Sequence, residues 1–110
     1  MKQIYLASPF FNDTELVVYK ETISRLRNAG YKVHVPQEHE IKNAWDYSNA
    51  DWARMVFDMD VDALRVSDVV MVLNFGMYSD SGTAWEAGYA AALEIPVIQV
   101  LCGFENGAYS

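Results

Sequence analysis

The chain has 110 residues, 52% of them apolar, and a net charge of -7, which suffices for one small domain over residues 1–110 and leaves no surplus for a second core. That charge argues against DNA, RNA and anionic membrane as main partners, because each presents a dense negative surface. One cysteine, Cys102, rules out an internal disulfide and reads as a structural residue in a reducing cytoplasm. No run approaches the ~20 apolar residues of a membrane span, and the start lacks the shape of a signal peptide.

Ile4 to Ala7 is a short apolar run ended by Ser8-Pro9, the pattern of a buried strand feeding a loop, since proline cannot continue the ladder. The loop is Ser8-Pro9-Phe10-Phe11. Asn12 with Glu15 three residues on resembles a capping box. Leu16, Tyr19, Ile23 and Leu26 then recur at helical spacing until Asn28-Ala29-Gly30 closes the segment. Tyr31 to Val35 predicts a second short strand stopped by Pro36. From Gln37 to Asn49 the chain is polar and mixed, with Trp45 and Tyr47 as its aromatic groups, and reads as a loop, with room for a helical turn, over a site or an interface.

A second helix is expected from Asn49 or Ala50 to Arg65, with Trp52, Met55, Val56, Met59 and Ala63 on its apolar stripe. At ~100° per residue, Asp58 and Asp62 fall opposite that stripe, whereas Asp60 lies at its edge beside Val56. A carboxylate held there costs energy unless something polar meets it. Geometry alone leaves open whether Asp60 is a site residue or a borderline surface one.

Asp68 to Leu73 is the clearest strand, and its continuous apolar character suits the centre of a parallel sheet. A third helix opens at Asp80 or Ser81 and runs to Leu93; Pro96 stops it, and Val97 to Leu101 make a fourth strand. Cys102 to Ser110 show no helical period. Strand and helix alternate throughout with no hairpin signal, so the crossovers are right-handed and the sheet is parallel. The expected fold is a single-domain, flavodoxin- or Rossmann-like α/β sheet of strand order 2-1-3-4 with helices on both faces. In that order the winding reverses between the first and third strands, and their C-terminal loops flank a crevice. Tyr5, Phe10, Phe11, Asp80 and Glu86 converge there.

The stretch Asp80-Ser81-Gly82-Thr83-Ala84-Trp85-Glu86-Ala87-Gly88-Tyr89-Ala90 carries the most chemistry. Gly82 is small enough to admit a ligand, and Glu86 lies about one turn above it on the same face. The positive end of the helix dipole favours an ionised Glu86, a possible nucleophile or base. Spacing alone serves equally well for a glutamate that answers the dipole and an aspartate that only caps the helix.

Other chemistries lack their residues. There is no G-x-G-x-x-G after the first strand and no G-x-x-x-x-G-K-[ST], so dinucleotide and nucleoside triphosphate cradles are unsupported. His34 and His39 lack the H-E-x-x-H spacing of a zinc site, and no nucleophile elbow is present. No cofactor or metal is expected. Carboxylates and aromatics remain, which is the equipment of glycosidic bond cleavage.

Tyr5-Leu6-Ala7-Ser8-Pro9-Phe10-Phe11, then Asp60 ahead of Ala63-Leu64-Arg65-Val66-Ser67-Asp68, then the Asp80 to Ala90 stretch, resemble the nucleoside 2-deoxyribosyltransferases in order and spacing. The resemblance implies transfer of a 2-deoxyribosyl group (a pentosyl transfer of the EC 2.4.2 type) between a 2'-deoxynucleoside and a free nucleobase. It implies Glu86 as nucleophile, Asp80 and Asp60 beside the base, and Tyr5 as hydrogen-bond partner near the nucleophile. Gln37 falls where the family often has a base-contacting glutamine. Ser8, Phe10, Phe11 and Gly82 are implied at the substrate, with Phe10, Phe11 and Trp45 available to stack a base. The family also implies a homo-oligomer, dimer or higher, in which a C-terminal segment helps complete a neighbouring site. Only Phe104 to Ser110 remain here, with Asn106 or the terminal carboxylate of Ser110 available for that role.

Two alternatives stand beside this reading. One is hydrolysis of 2'-deoxynucleoside 5'-monophosphates, which needs a phosphate-holding group that Arg25, Arg27, Arg54 and Arg65, all on solvent-facing helix positions, do not supply. The other is a catalytically silent nucleoside-binding module that keeps the pocket without turnover.

Overall fold

A computed structural model of the chain describes residues 2–35, 47–76, 80–105 and 108–109. Strand β1 (Gln3–Ala7) leads through helix α1 (Asp13–Asn28) to β2 (Lys32–His34). Helix α2 (Asn49–Arg65), strand β3 (Val69–Phe75), helix α3 (Ser81–Ala92) and strand β4 (Val97–Cys102) follow, and β5 (Phe104–Glu105) with β6 (Ala108–Tyr109) close the chain. The first four strands form one parallel sheet in the order β2-β1-β3-β4, as the alternation of strand and helix predicts.

The helix starts follow from local chemistry. Asn12 caps α1 by accepting from the Glu15 amide at 2.9 Å, while the Glu15 carboxylate accepts from the Phe11 amide at 3.0 Å. The reciprocal bond of the capping box thus reaches one residue further back than the usual pattern. Ser48 caps α2 through the Asp51 amide, and Asp80 caps α3 through the Thr83 amide at 3.1 Å. At the far end of α3, Glu94 takes φ 60 before Pro96 turns the chain into β4. No helix among the described residues is long and apolar enough to cross a membrane.

Register decides which side chains share a face. Tyr5 pairs with Val70 and Ala7 with Val72, so these residues point to the side covered by α2 and α3. There they build a core with Ala63 and Leu64 of α2 and Ala90 of α3. Leu6, Leu73 and Val33 point the other way and pack with Tyr19 of α1. The helices therefore divide one to one face and two to the other.

Three expectations need correction. The buried part of α2 is Val61, Ala63 and Leu64 in its last turns, whereas Trp52, placed on the apolar stripe by periodicity, is 45% exposed. Burial follows contact with the sheet, and only the end of α2 supplies side chains to the core around Tyr5 and Val70. Strand β3 runs two residues past Leu73, because Asn74 and Phe75 find ladder partners in Leu101 and Cys102. Finally, β5 and β6 form a small antiparallel hairpin where no hairpin signal was read.

Leu64 is fully buried at the junction of α2 with the sheet. Leu64→Ala is expected to lower unfolding free energy by about 2–5 kcal/mol, and Asn12→Ala, which removes a cap, by about 1 kcal/mol. Urea denaturation of the two variants checks both values.

Candidate active site

Tyr5 sits in the middle of β1 with its side chain wholly buried, and its hydroxyl donates to Oε2 of Glu86 in the second turn of α3. This one bond joins residues 81 positions apart in sequence. It forms because β1 and β3 are neighbours and because α3 lies across the sheet face that Tyr5 shares with Val70 and Ala7. Behind the phenol, His34 of β2 stacks on the Tyr5 ring with centroids 5.2 Å apart and planes 19° from parallel. The register places His34 opposite Tyr5 in the ladder, so the ring of Tyr5 is fixed on one side by a strand neighbour.

Glu86 is half-buried, and burial pushes its carboxyl up from an ordinary 4.5 to about 7. The Tyr5 hydrogen bond pulls it down, whereas the charges of Asp60 and Asp80 push it up further. The phenol of Tyr5 is held well above its ordinary range, first by burial and then by Glu86. Tyr5 therefore remains a donor throughout the physiological range, and Glu86 is ionised to a comparable extent as it is protonated near neutrality. One carboxylate oxygen, Oε2, accepts from Tyr5.

Asp60 is half-buried in α2, while its neighbours Asp58 and Asp62 are exposed, as the helical spacing separates them. Its charge reaches both Tyr5 and Glu86. Asp80 spends Oδ2 on the Thr83 amide and so holds the mouth of α3. Gly82 is exposed just inside that mouth, and a Cβ added there would meet the Asp80 carboxylate at 3.4 Å. Ser8 is half-buried at the end of β1, its hydroxyl donating to the Pro9 carbonyl at 2.8 Å.

Phe10 is 39% exposed and stacks on Tyr19 of α1 at 5.4 Å, with Phe11, 78% exposed, beside it at 6.0 Å. Gln37, Trp45 and His39, together with Asn106 and Ser110, lie outside the described residues. Every described lysine and arginine is exposed; Arg65 donates to the Tyr89 hydroxyl at 3.0 Å and Arg27 to the Val33 carbonyl at 3.1 Å. Cys102 is a half-buried strand residue whose thiol is pushed up by burial, which suits a packing role.

Sequence reasoning missed two features. His34 was read as a plain strand residue; its place beside Tyr5 depends on the β1–β2 register, which short polar-flanked strands specify weakly. The row Phe57, Trp85, Tyr89, with rings 5.4 and 5.2 Å apart, joins α2 to α3. The signal for it was the four-residue spacing of Trp85 and Tyr89.

The structure is a parallel α/β domain in which a buried tyrosine donates to a glutamate beside two aspartates, where the winding of the sheet reverses. The family model for nucleoside 2-deoxyribosyltransferase matches residues 4–108, and the chain belongs to that family. Among solved structures, a 2-deoxyribosyltransferase from Bacillus psychrosaccharolyticus is 32% identical with a TM-score of 0.78, covering 90% of this chain and 72% of its own. A 2-desoxiribosyltransferase from Leishmania mexicana (23% identical, TM-score 0.65) is covered over 65% of its length and matches 92% of this chain. A CMP N-glycosidase from Clostridium botulinum (24% identical, TM-score 0.63) is covered over 75% and matches 98%. These last two share the fold. No curated protein sequence matches the chain significantly.

Carbon-13 NMR of the Glu86 carboxyl in the ligand-free protein should show a midpoint of about 7. Tyr5→Phe removes the interaction that lowers it and should move the midpoint up, while Asp60→Asn removes a raising charge and should move it down. Because the folded value is raised, the folded state holds a proton that the unfolded state has released, so stability falls as pH rises from 4.5 through about 7. Glu86→Gln is therefore expected to exceed the unmutated protein at pH 8 by on the order of 1–3 kcal/mol, with the gap closing near pH 4. Thermal unfolding across that range checks the sign.

Proposed function

We propose that the chain exchanges the base of 2'-deoxynucleosides through a covalent ester between deoxyribose and Glu86. The observation that supports this most is the Tyr5–Glu86 hydrogen bond inside a half-buried acidic group. In the first step the free oxygen of the Glu86 carboxylate attacks C1'. The C1'–N bond breaks with its electron pair going to the base, and Asp80 or Asp60 supplies the proton that makes the base a neutral leaving group. In the second step a nitrogen of the incoming base attacks C1' from the other face. The ester bond breaks, Glu86 regains its charge, and the incoming base gives its proton to the acid left deprotonated. Two inversions give net retention.

Tyr5 serves both steps as a donor that aligns the carboxylate, and its raised pKa keeps the proton on the phenol. Burial leaves the attacking oxygen poorly hydrated and hence more reactive when ionised. Stacking on Phe10, Phe11 or Trp45, with a hydrogen bond from Gln37, would hold bases of different kinds, since every base offers a π face. Ser8, after the end of β1, and Gly82, in the first turn of α3, would line the approach. Such a reaction suits cytoplasmic nucleoside salvage.

The charge around Glu86 favours a neutral nucleoside over a 5'-monophosphate. Its charged neighbours among the described residues are Asp60 and Asp80, which would repel a phosphate dianion.

Incubation with 2'-deoxyinosine and adenine or cytosine, without phosphate, tests the reading. New deoxynucleoside is expected to form, and Glu86→Ala should reduce its rate by about 10³-fold or more. Free hypoxanthine without a new nucleoside would assign hydrolysis instead, and binding of the nucleoside without turnover would assign a silent module. The acid limb of kcat/KM should lie near 7 and move upward in Tyr5→Phe, following the titration of Glu86.

A further inference from the structure

Tyr5 reaches Glu86 through one hydrogen bond between a strand and a helix, and that bond exists only while the phenol points at α3. The staggered torsions of a tyrosine offer its ring several courses away from the backbone. Packing on either side must select one of them. The parallel ladder supplies those two sides: Val70 of β3 lies opposite Tyr5 on one, and His34 of β2 on the other.

The two neighbours are not equivalent. Val70 belongs to the same buried core as Tyr5, but a valine ends at its γ methyl groups and supports only the part of the ring nearest the sheet. The imidazole of His34 extends further. Its centroid is 5.2 Å from that of the Tyr5 ring, with the planes 19° from parallel, and neighbouring strands themselves run about 4.8 Å apart. The two rings therefore leave the sheet side by side and remain nearly parallel, so that each limits the tilt of the other. Tyr5 is wholly buried and His34 half-buried, which makes the imidazole the outer member of the pair. Among the described residues, His34 is the one ring stacked on Tyr5.

We propose that His34 is a positioning residue of the site: its ring, laid alongside Tyr5, holds the phenol aimed at Glu86. A hydrogen-bond donor is effective only when packing fixes its direction, and here that support comes from a strand that contributes nothing else described at the carboxylate. The inference rests on the Tyr5–Glu86 pair that the proposed reaction uses, and it is testable without substrate.

A double-mutant cycle read by carbon-13 NMR of the Glu86 carboxyl in the ligand-free protein provides the test. In the otherwise unmutated protein, Tyr5→Phe should raise the Glu86 midpoint from about 7. In a His34→Val background, which keeps a strand-forming side chain and removes the ring, the same step should be smaller by about half a pH unit or more. His34→Ala should repeat that result. In His34→Phe, which keeps a flat ring without the nitrogens, the step should return to full size. Far-UV circular dichroism and urea denaturation establish which variants are folded. In base exchange, His34→Val should lower kcat by about tenfold or more with KM retained, and adding Tyr5→Phe should cost little further, whereas His34→Phe should restore the rate.

A Tyr5→Phe step that is absent from the unmutated protein, or undiminished in the folded Val and Ala backgrounds, overturns the proposal. So does a step that stays small in His34→Phe, because the contact would then act through the imidazole nitrogens. The expected titration in a chain that turns over no nucleoside would overturn the proposed reaction and support the role of His34; exchange with an undiminished step would do the reverse.

Discussion

The burial of Glu86 against Tyr5 is the constraint on which the site depends. A carboxylate withdrawn from water resists ionisation, and two further acids nearby add to that resistance. Without an opposing interaction the pKa of the carboxyl group would be raised further. The phenol supplies that interaction from a position in β1 that faces α3, and it can do so because its own proton is held even more firmly. The pair thus leaves a partly desolvated carboxyl group able to ionise near pH 7.

That arrangement needs both halves of the doubly wound sheet. Tyr5 comes from the first strand, stacked against His34 of the second, whereas Glu86 and Asp80 come from the helix that follows the third. Asp60 enters from α2, the helix that carries the chain from one half to the other. Leu64 and Ala63, in the turns of α2 after Asp60, pack into the core around Tyr5 and Val70. The same packing that stabilises the fold therefore brings the charge of Asp60 within reach of Glu86. Substitutions in this core would be felt as changes in the titration of Glu86 as well as in stability.

Tyr5, Asp60, Asp80 and Glu86 come together in a chain that belongs to the nucleoside 2-deoxyribosyltransferase family. The chain spans 72% of the Bacillus psychrosaccharolyticus enzyme and 65% of the Leishmania mexicana one. Over that shared span lie the sheet, its three helices and the acidic group around Tyr5.

The sequence by itself determined the alternation of strands and helices, the strand order and the polarity of each helix end. Each of these rests on local signals: the capping residues Asn12 and Asp80, the stop at Pro96, and apolar runs bounded by loops. It also separated Asp60 from Asp58 and Asp62, because helical period is a property of neighbours in sequence. The tertiary structure alone decided that Tyr5 bonds Glu86, that His34 stacks behind Tyr5, and that α2 buries Val61 and Leu64 while Trp52 stays exposed. These contacts join residues far apart along the chain, and they depend on strand register and helix seating, which the packing of the whole domain fixes. The raised pKa of Glu86 has the same origin, since desolvation exists only once the surrounding elements have closed over the carboxyl group.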